Sequence, residues 1–226
     1  MVEGIESLLK QLGLPGFMAS SGGALADFVP VLAHAEHAST AAMDLSRLIE
    51  FSHGRMHARM ALARLGLHGA IVPMAPDRSP LWPPGFTGSI SHVPADRVEN
   101  SDGQVIAVAA RLSDCAGVGV DLERAGMLLP EHWNAFLTAT ELAALVLQPV
   151  AQRGTLVHGL WSAKEAVMKA LRQALDPQNI EVRLSDDART FSAECRLTAA
   201  DSGAASTWVQ GRLANAQGWV AAFAMR

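Results

Sequence analysis

Apolar and polar positions follow two periods along the chain, and the boundary between them organises the reading. Ile5 to Leu14 has helical periodicity and stops at Pro15-Gly16. Ser20 to Gly23 reads as a loop. Helical spacing resumes from His37 to Leu65, in one segment centred on Met43 to Ile49 and another from about Gly54, with Gly66 as the stop. Pro73 to Gly88 is punctuated by five prolines and reads as a shaped loop carrying Trp82 and Phe86. It leads into a short strand at 88–92. Asp96 to Gly103 is polar and turn-like, and Val105 to Ala110 is a strand. Strict alternation at 117–123 predicts a half-buried strand, with Val118, Val120 and Leu122 on one face and Gly119, Asp121 and Glu123 on the other. Pro130 to Leu147 reads as a helix with Thr138 or Thr140 as N-cap, and a second helix runs from Pro149 to about Ala174. Four alternating runs then predict an antiparallel sheet: 180–184, 191–197, 207–213 and 219–225.

Composition narrows the class. At 226 residues, 50% hydrophobic and 18% charged, the chain suits one large globular domain or two small ones. A net charge of -4 argues against a nucleic-acid protein held by bulk electrostatics, while permitting a local basic pocket. Cys115 and Cys195 have no metal-ligand spacing, so neither a zinc site nor a disulfide scaffold is expected. No apolar run reaches the ~20 residues of a membrane span, and the N-terminal residues do not read as a signal peptide. The expected location is the cytoplasm.

Several polar residues have a chemical and a bland reading. Asp121 and Glu123, two apart on a strand, project side by side about 7 Å apart along the backbone. They suit a hard cation such as Mg²⁺, or are two acids on a solvated face. Trp161, Glu165 and Lys169 form one helical stripe, able to hold a metal beside a phosphate or to make a simple i,i+4 ion pair. Lys164 falls on the neighbouring, core-facing stripe with Leu160, Val167 and Leu171. Between Ser52 and Arg78 stand Arg55, Arg59, Arg64 and Arg78 against the single acid Asp77. Arg55 and Arg59, one turn apart, repel unless an anion lies between them. Gly88-Ser89-Ile90-Ser91-His92 could bring amides, a hydroxyl and an imidazole to a phosphate. Glu141 either favours a helix N-terminus or serves as a catalytic acid.

Taken together, Gly-Val-Gly-Val-Asp-Leu-Glu at 117–123 and Trp-Ser-x-Lys-Glu-x-x-x-Lys at 161–169 resemble the 4′-phosphopantetheinyl transferase superfamily. The Gly54–Leu62 helix, the Trp-Pro-Pro-Gly loop at 82–85 and Gly-Ser-Ile-Ser-His at 88–92 extend the resemblance to its single-chain, siderophore-synthetase-associated, enterobactin-type branch. The resemblance implies an α+β fold of two similar α/β subdomains, 1–115 and 116–226, related by a pseudo-twofold axis with the active-site cleft between them. It implies a holo-[acyl-carrier-protein] synthase type of activity. The phosphopantetheine arm of coenzyme A is moved to a serine of an apo acyl or peptidyl carrier protein, and adenosine 3′,5′-bisphosphate is released. By resemblance, Asp121, Glu123 and Glu165 are the Mg²⁺ ligands, and Glu165, Lys169 and Glu141 are catalytic. Arg55, Arg59, Arg78, Ser91, His92, Lys164 and Lys169 bind coenzyme A. The proton acceptor is left open between Glu165, Glu141 and a metal-bound water. A monomer is expected, with the 128–147 region as a docking surface for the carrier. The rival readings are a non-catalytic coenzyme A or carrier-binding module of the same fold, and a Mg²⁺-dependent phosphodiesterase.

Overall fold

Ile5, Leu8 and Leu12 recur at three- and four-residue spacing, and in the folded chain all three are at most 1% exposed. Each contributes roughly 2 kcal/mol by leaving water. They form the inner face of α1 (Glu3–Leu12), which packs mainly on β7 (Gly203–Ala216) and β8 (Trp219–Met225), and less on the strand that follows it, Ala19–Ala24. The computed structural model describes residues 3–95, 103–199 and 203–226. Of the polar stretch read as a turn from Asp96 to Gly103, residues 96–102 lie outside the described residues.

Two antiparallel sheets carry the fold. The first has three strands in the order β1-β3-β2, with β1 at Ala19–Ala24, β2 at Phe86–Val93 and β3 at Gln104–Arg111. The second has five in the order β4-β8-β7-β6-β5. These are Val118–Arg124, Ile180–Leu184, Thr190–Ala199, Gly203–Ala216 and Trp219–Met225 for β4 to β8. Each sheet is backed by one long helix, α3 (Leu45–Arg64) on the first and α5 (Val150–Leu171) on the second. A single turn, α2 (His34–His37), precedes α3, and α4 (Ala139–Val146) precedes α5. This is an α+β fold of two helix-backed sheets.

Strand alternation distributes the core. In β3, Ala107 and Ala109 face α3 with Ala58, Ala61 and Leu62, while Ile106 and Val108 face the centre of the molecule. There they meet Val118, Val120 and Leu122 of β4, Phe223 of β8 and the apolar face of α1. A third cluster fills the space between α5 and the five-stranded sheet. β4 is thus covered on both faces, and Asp121, expected on a half-exposed strand, is only 4% exposed.

Three local expectations are corrected. Ser20 to Gly23 is not a loop but the middle of β1, paired with β3 in the register Ala19↔Ala109. The helix expected at 130–147 is broken into a 3-10 turn at Pro130–Ala135 and α4. The two segments expected between His37 and Leu65 are mainly one helix, α3, capped at its start by Asp44 accepting from the Arg47 amide at 2.8 Å. Cys115 and Cys195 are buried free thiols. No helix among the described residues is long and apolar enough to cross a membrane.

Candidate active site

The site begins with two absent side chains. A Cβ on Gly119 would overlap the Ala166 carbonyl, and one on Gly117 the Ala170 carbonyl. Only glycine at both positions lets α5 lie directly on the β4 backbone. That close approach brings the acids of β4 under the Trp161–Glu165–Lys169 stripe.

Lys169 Nζ donates to Asp121 Oδ1 at 2.6 Å, and also lies 3.3 Å from Ser91 Oγ and from the Val120 carbonyl. Ser91 Oγ donates to the same Asp121 oxygen at 3.0 Å and accepts from the Leu122 amide at 3.2 Å. The serine of β2 thereby ties the first sheet to β4. Trp161 Nε1 donates to Glu123 Oε1 at 2.9 Å. Burial, with the Asp121 carboxylate second, pushes the Glu123 carboxyl up to about 7. Burial also raises the Glu165 carboxyl; Lys169 opposes that rise and Asp121 adds to it.

This donor set fits a hard divalent cation: carboxylate oxygens only, mutually repulsive, with Asp121 Oδ2 buried and lacking any hydrogen-bond partner. Among the described residues no three His, Cys, Asp or Glu side chains already converge at metal-holding distance. Asp121 is turned toward Lys169, and Glu123 toward Trp161.

Beside the acids stands a basic group. Arg55 is 5% exposed, its guanidinium carbon 4.2 Å from the Phe51 ring centre, and its Nε has no hydrogen-bond partner. Burial chiefly, opposed by Glu36 and reinforced by Arg47 and Arg59, brings its pKa down to about 10. His92 Nε2 lies 2.9 Å from Arg47 Nη1. Burial lowers the His92 pKa; Glu50 works against that, and Arg47, Lys169 and Arg55 add to it. Arg47 and Arg55 are the charged members of this group, with Glu50 paired to Arg47 and Glu36 acting on Arg55, and together they could hold an anion.

Other expected site residues lie elsewhere. Glu141 caps α4 by accepting from the Thr138 amide at 2.8 Å, and it accepts from the Val182 amide at 2.8 Å. Its remaining partner is Lys164 Nζ at 2.8 Å. Lys164 is fully buried and also donates to the carbonyls of Phe136 and Pro177. Both groups are hydrogen-bonded inside the core, and the fold does not bring them to Asp121 and Lys169. Arg59 pairs with the fully buried Glu36 and donates to the Val31 carbonyl. The missing acid for the Arg55/Arg59 pair is thus Glu36, which lies outside the stretch in which the arginines were counted. Arg78 is exposed in a tight turn at φ 70°.

Arg47 and Glu50 were not singled out in the sequence. Arg47, Phe51 and Arg55 share one α3 face at four-residue steps, and that stripe was the available signal.

Known proteins resemble this chain in both its first and its second half. The family model described as the 4′-phosphopantetheinyl transferase N-terminal domain matches residues 34–96, and that of the 4′-phosphopantetheinyl transferase superfamily matches 117–224. The 4′-phosphopantetheinyl transferase Svp of Streptomyces mobaraensis is 36% identical over 176 residues, covering 74% of this chain and 67% of Svp. Enterobactin synthase component D of Salmonella typhi is 34% identical over 133 residues, 55% of this chain and 48% of that protein. The match thus spans about half the length of that relative. The crystal structure of Thermotoga maritima holo-[acyl-carrier-protein] synthase aligns at 14% identity with a TM-score of 0.35, over 49% of this chain and 62% of that one. The chain belongs to the 4′-phosphopantetheinyl transferase superfamily.

Proposed function

We propose that this protein transfers the 4′-phosphopantetheine moiety of coenzyme A to a serine of an apo acyl or peptidyl carrier protein, releasing adenosine 3′,5′-bisphosphate. The observation that carries this reading is the meeting of Asp121, Lys169 and Ser91 at the junction of β4, α5 and β2. The anion site of Arg55, Arg47 and His92 lies next to it.

Asp121, Glu123 and Glu165 would hold a divalent cation, Mg²⁺ by the hardness of its ligands. Bound there, the cation would neutralise the pyrophosphate and stabilise the leaving oxygen. The protein's own groups supply position and charge, which suffices for phosphoryl-type transfer. Lys169 Nζ provides a fixed positive charge beside the pyrophosphate. Arg55, His92 and Ser91 hold the coenzyme A phosphates, with Arg59 and Arg78 at the margin. Glu165 would accept the proton of the carrier serine. Glu141, engaged by Lys164, does not compete for that role.

Residues 1–115 and 116–226 are proposed as the two subdomains of a single-chain, enterobactin-type enzyme acting as a cytoplasmic monomer. The division falls between β3 and β4, where one sheet gives way to the other. The exposed Leu129, Val146 and Leu147 support the 128–147 region as the carrier's docking surface.

The test is intact-mass analysis of apo carrier proteins incubated with this protein, coenzyme A and Mg²⁺. A gain of one phosphopantetheine, lost on chelation, is expected. Release of free phosphopantetheine would indicate a phosphodiesterase, and tight coenzyme A binding without either product a binding module.

A further inference from the structure

A carboxylate stands inside the anion site, where on its own it would repel a phosphate. Glu50 Oε2 accepts from Arg47 Nη1 at 3.0 Å and lies 3.6 Å from His92 Nδ1. Arg47 Nη1 also donates to His92 Nε2 at 2.9 Å. A ring nitrogen that accepts carries no proton, so the imidazole proton of the neutral ring sits on Nδ1, the nitrogen facing Glu50. The contacts run from Glu50 through Arg47 to His92, whose buried Nδ1 makes no hydrogen bond, and Glu50 is the most enclosed charged group among them. The Glu50 side chain is 13% exposed, against 43% for Arg47.

We propose that Glu50 is a positioning residue for coenzyme A, its carboxylate holding the Arg47 guanidinium in place for a phosphate. The inference rests on the transferase reading. An exposed arginine surrenders rotamer entropy when it closes on an anion. Glu50 imposes that order before the ligand arrives, so it strengthens binding despite its charge.

The experiment uses the full chain, saturating apo carrier and varied coenzyme A, with melting temperature recorded for each variant. Glu50→Gln is expected to raise the KM for coenzyme A about tenfold, to leave kcat within about twofold, and not to alter the KM for the carrier. Glu50→Asp should recover most of the loss. In an Arg47→Ala background, adding Glu50→Gln should cost less than about twofold, because the residue it orients is gone. A coenzyme A KM within twofold of wild type in Glu50→Gln would overturn the proposal. So would a tenfold penalty that persists undiminished without Arg47, or a loss confined to kcat. Should Glu50→Gln fail to fold, Glu50→Ala with and without Arg47→Ala reads the same coupling. Wild-type protein that neither modifies a carrier nor binds coenzyme A by calorimetry defeats the transferase reading itself; active wild type with an indifferent Glu50→Gln defeats only the role of Glu50.

Discussion

Lys169 Nζ and Asp121 Oδ1 stand 2.6 Å apart, joining the last turn of α5 to β4. The Lys169 side chain keeps 30% exposure while that of Asp121 keeps 5%, so the ammonium can turn toward a ligand and the carboxylate cannot follow it. Asp121→Asn should leave the fold intact and lower phosphopantetheine transfer by on the order of 10²–10³-fold, the usual cost of removing one charge-stabilising group. Carrier mass shifts and circular dichroism on the same sample measure both. Wild-type turnover in this variant would remove Asp121 from the site.

Gly119→Ala is expected to destabilise by about 3 kcal/mol or more, since the new methyl overlaps backbone that cannot rotate away. For a chain of this size that lowers the melting temperature by roughly 10 °C. Transfer should fall in parallel, because pushing α5 off β4 parts Lys169 from Asp121. A variant melting like wild type would mean that the helix does not lie as closely as described.

Lys164 is where position and motif diverge. Its pairing with Glu141 in the core predicts that Lys164→Ala costs about 3–5 kcal/mol, the range for breaking a buried ion pair. The KM for coenzyme A, measured well below the melting transition, should stay within about twofold. A raised KM with unchanged melting would instead return Lys164 to the nucleotide.

His57 makes stability depend on pH. Its Nδ1 lies 2.8 Å from Ser21 Oγ in the first sheet's core, and burial, with smaller contributions from His53 and Arg64, brings its pKa from 6.5 down to about 4. The unfolded chain takes up the proton first as pH falls. The stabilisation is therefore complete above about pH 6.5 and is lost between there and about pH 4, by up to ~3 kcal/mol. Urea unfolding at pH 7 and pH 4.5 should show a smaller drop in His57→Asn than in wild type. Equal drops would assign the loss to other groups.

The elements with strong alternation were legible: 180–184 and 219–225 are β5 and β8 as read. The strand β1 was not, because Ser-Ser-Gly-Gly carries no β-branched or aromatic signal, and pairing with β3 decides its conformation. Two rows of the site were visible as spacing, Asp121 with Glu123 and Trp161 with Glu165 and Lys169. What spacing could not reveal was which neighbour each charge meets. Glu36 reaches Arg59 from 23 positions away, and Glu141 was engaged by a lysine placed on a core-facing stripe. Charges within one window say little when their partners come from another element.

The position of β8 beside β4 bears on how the protein is made. Asp121 sits on a strand whose hydrogen-bonded neighbour is Trp219–Met225, and α1 finds its apolar seat on β7 and β8. During synthesis the acids of β4 and the helices that frame them leave the ribosome long before their partner strand does. Until it arrives, Gly117 and Gly119 have no sheet to hold them flat beneath α5. The acids of β4 therefore depend for their sheet on residues far along the chain, Asp121 on Ala222.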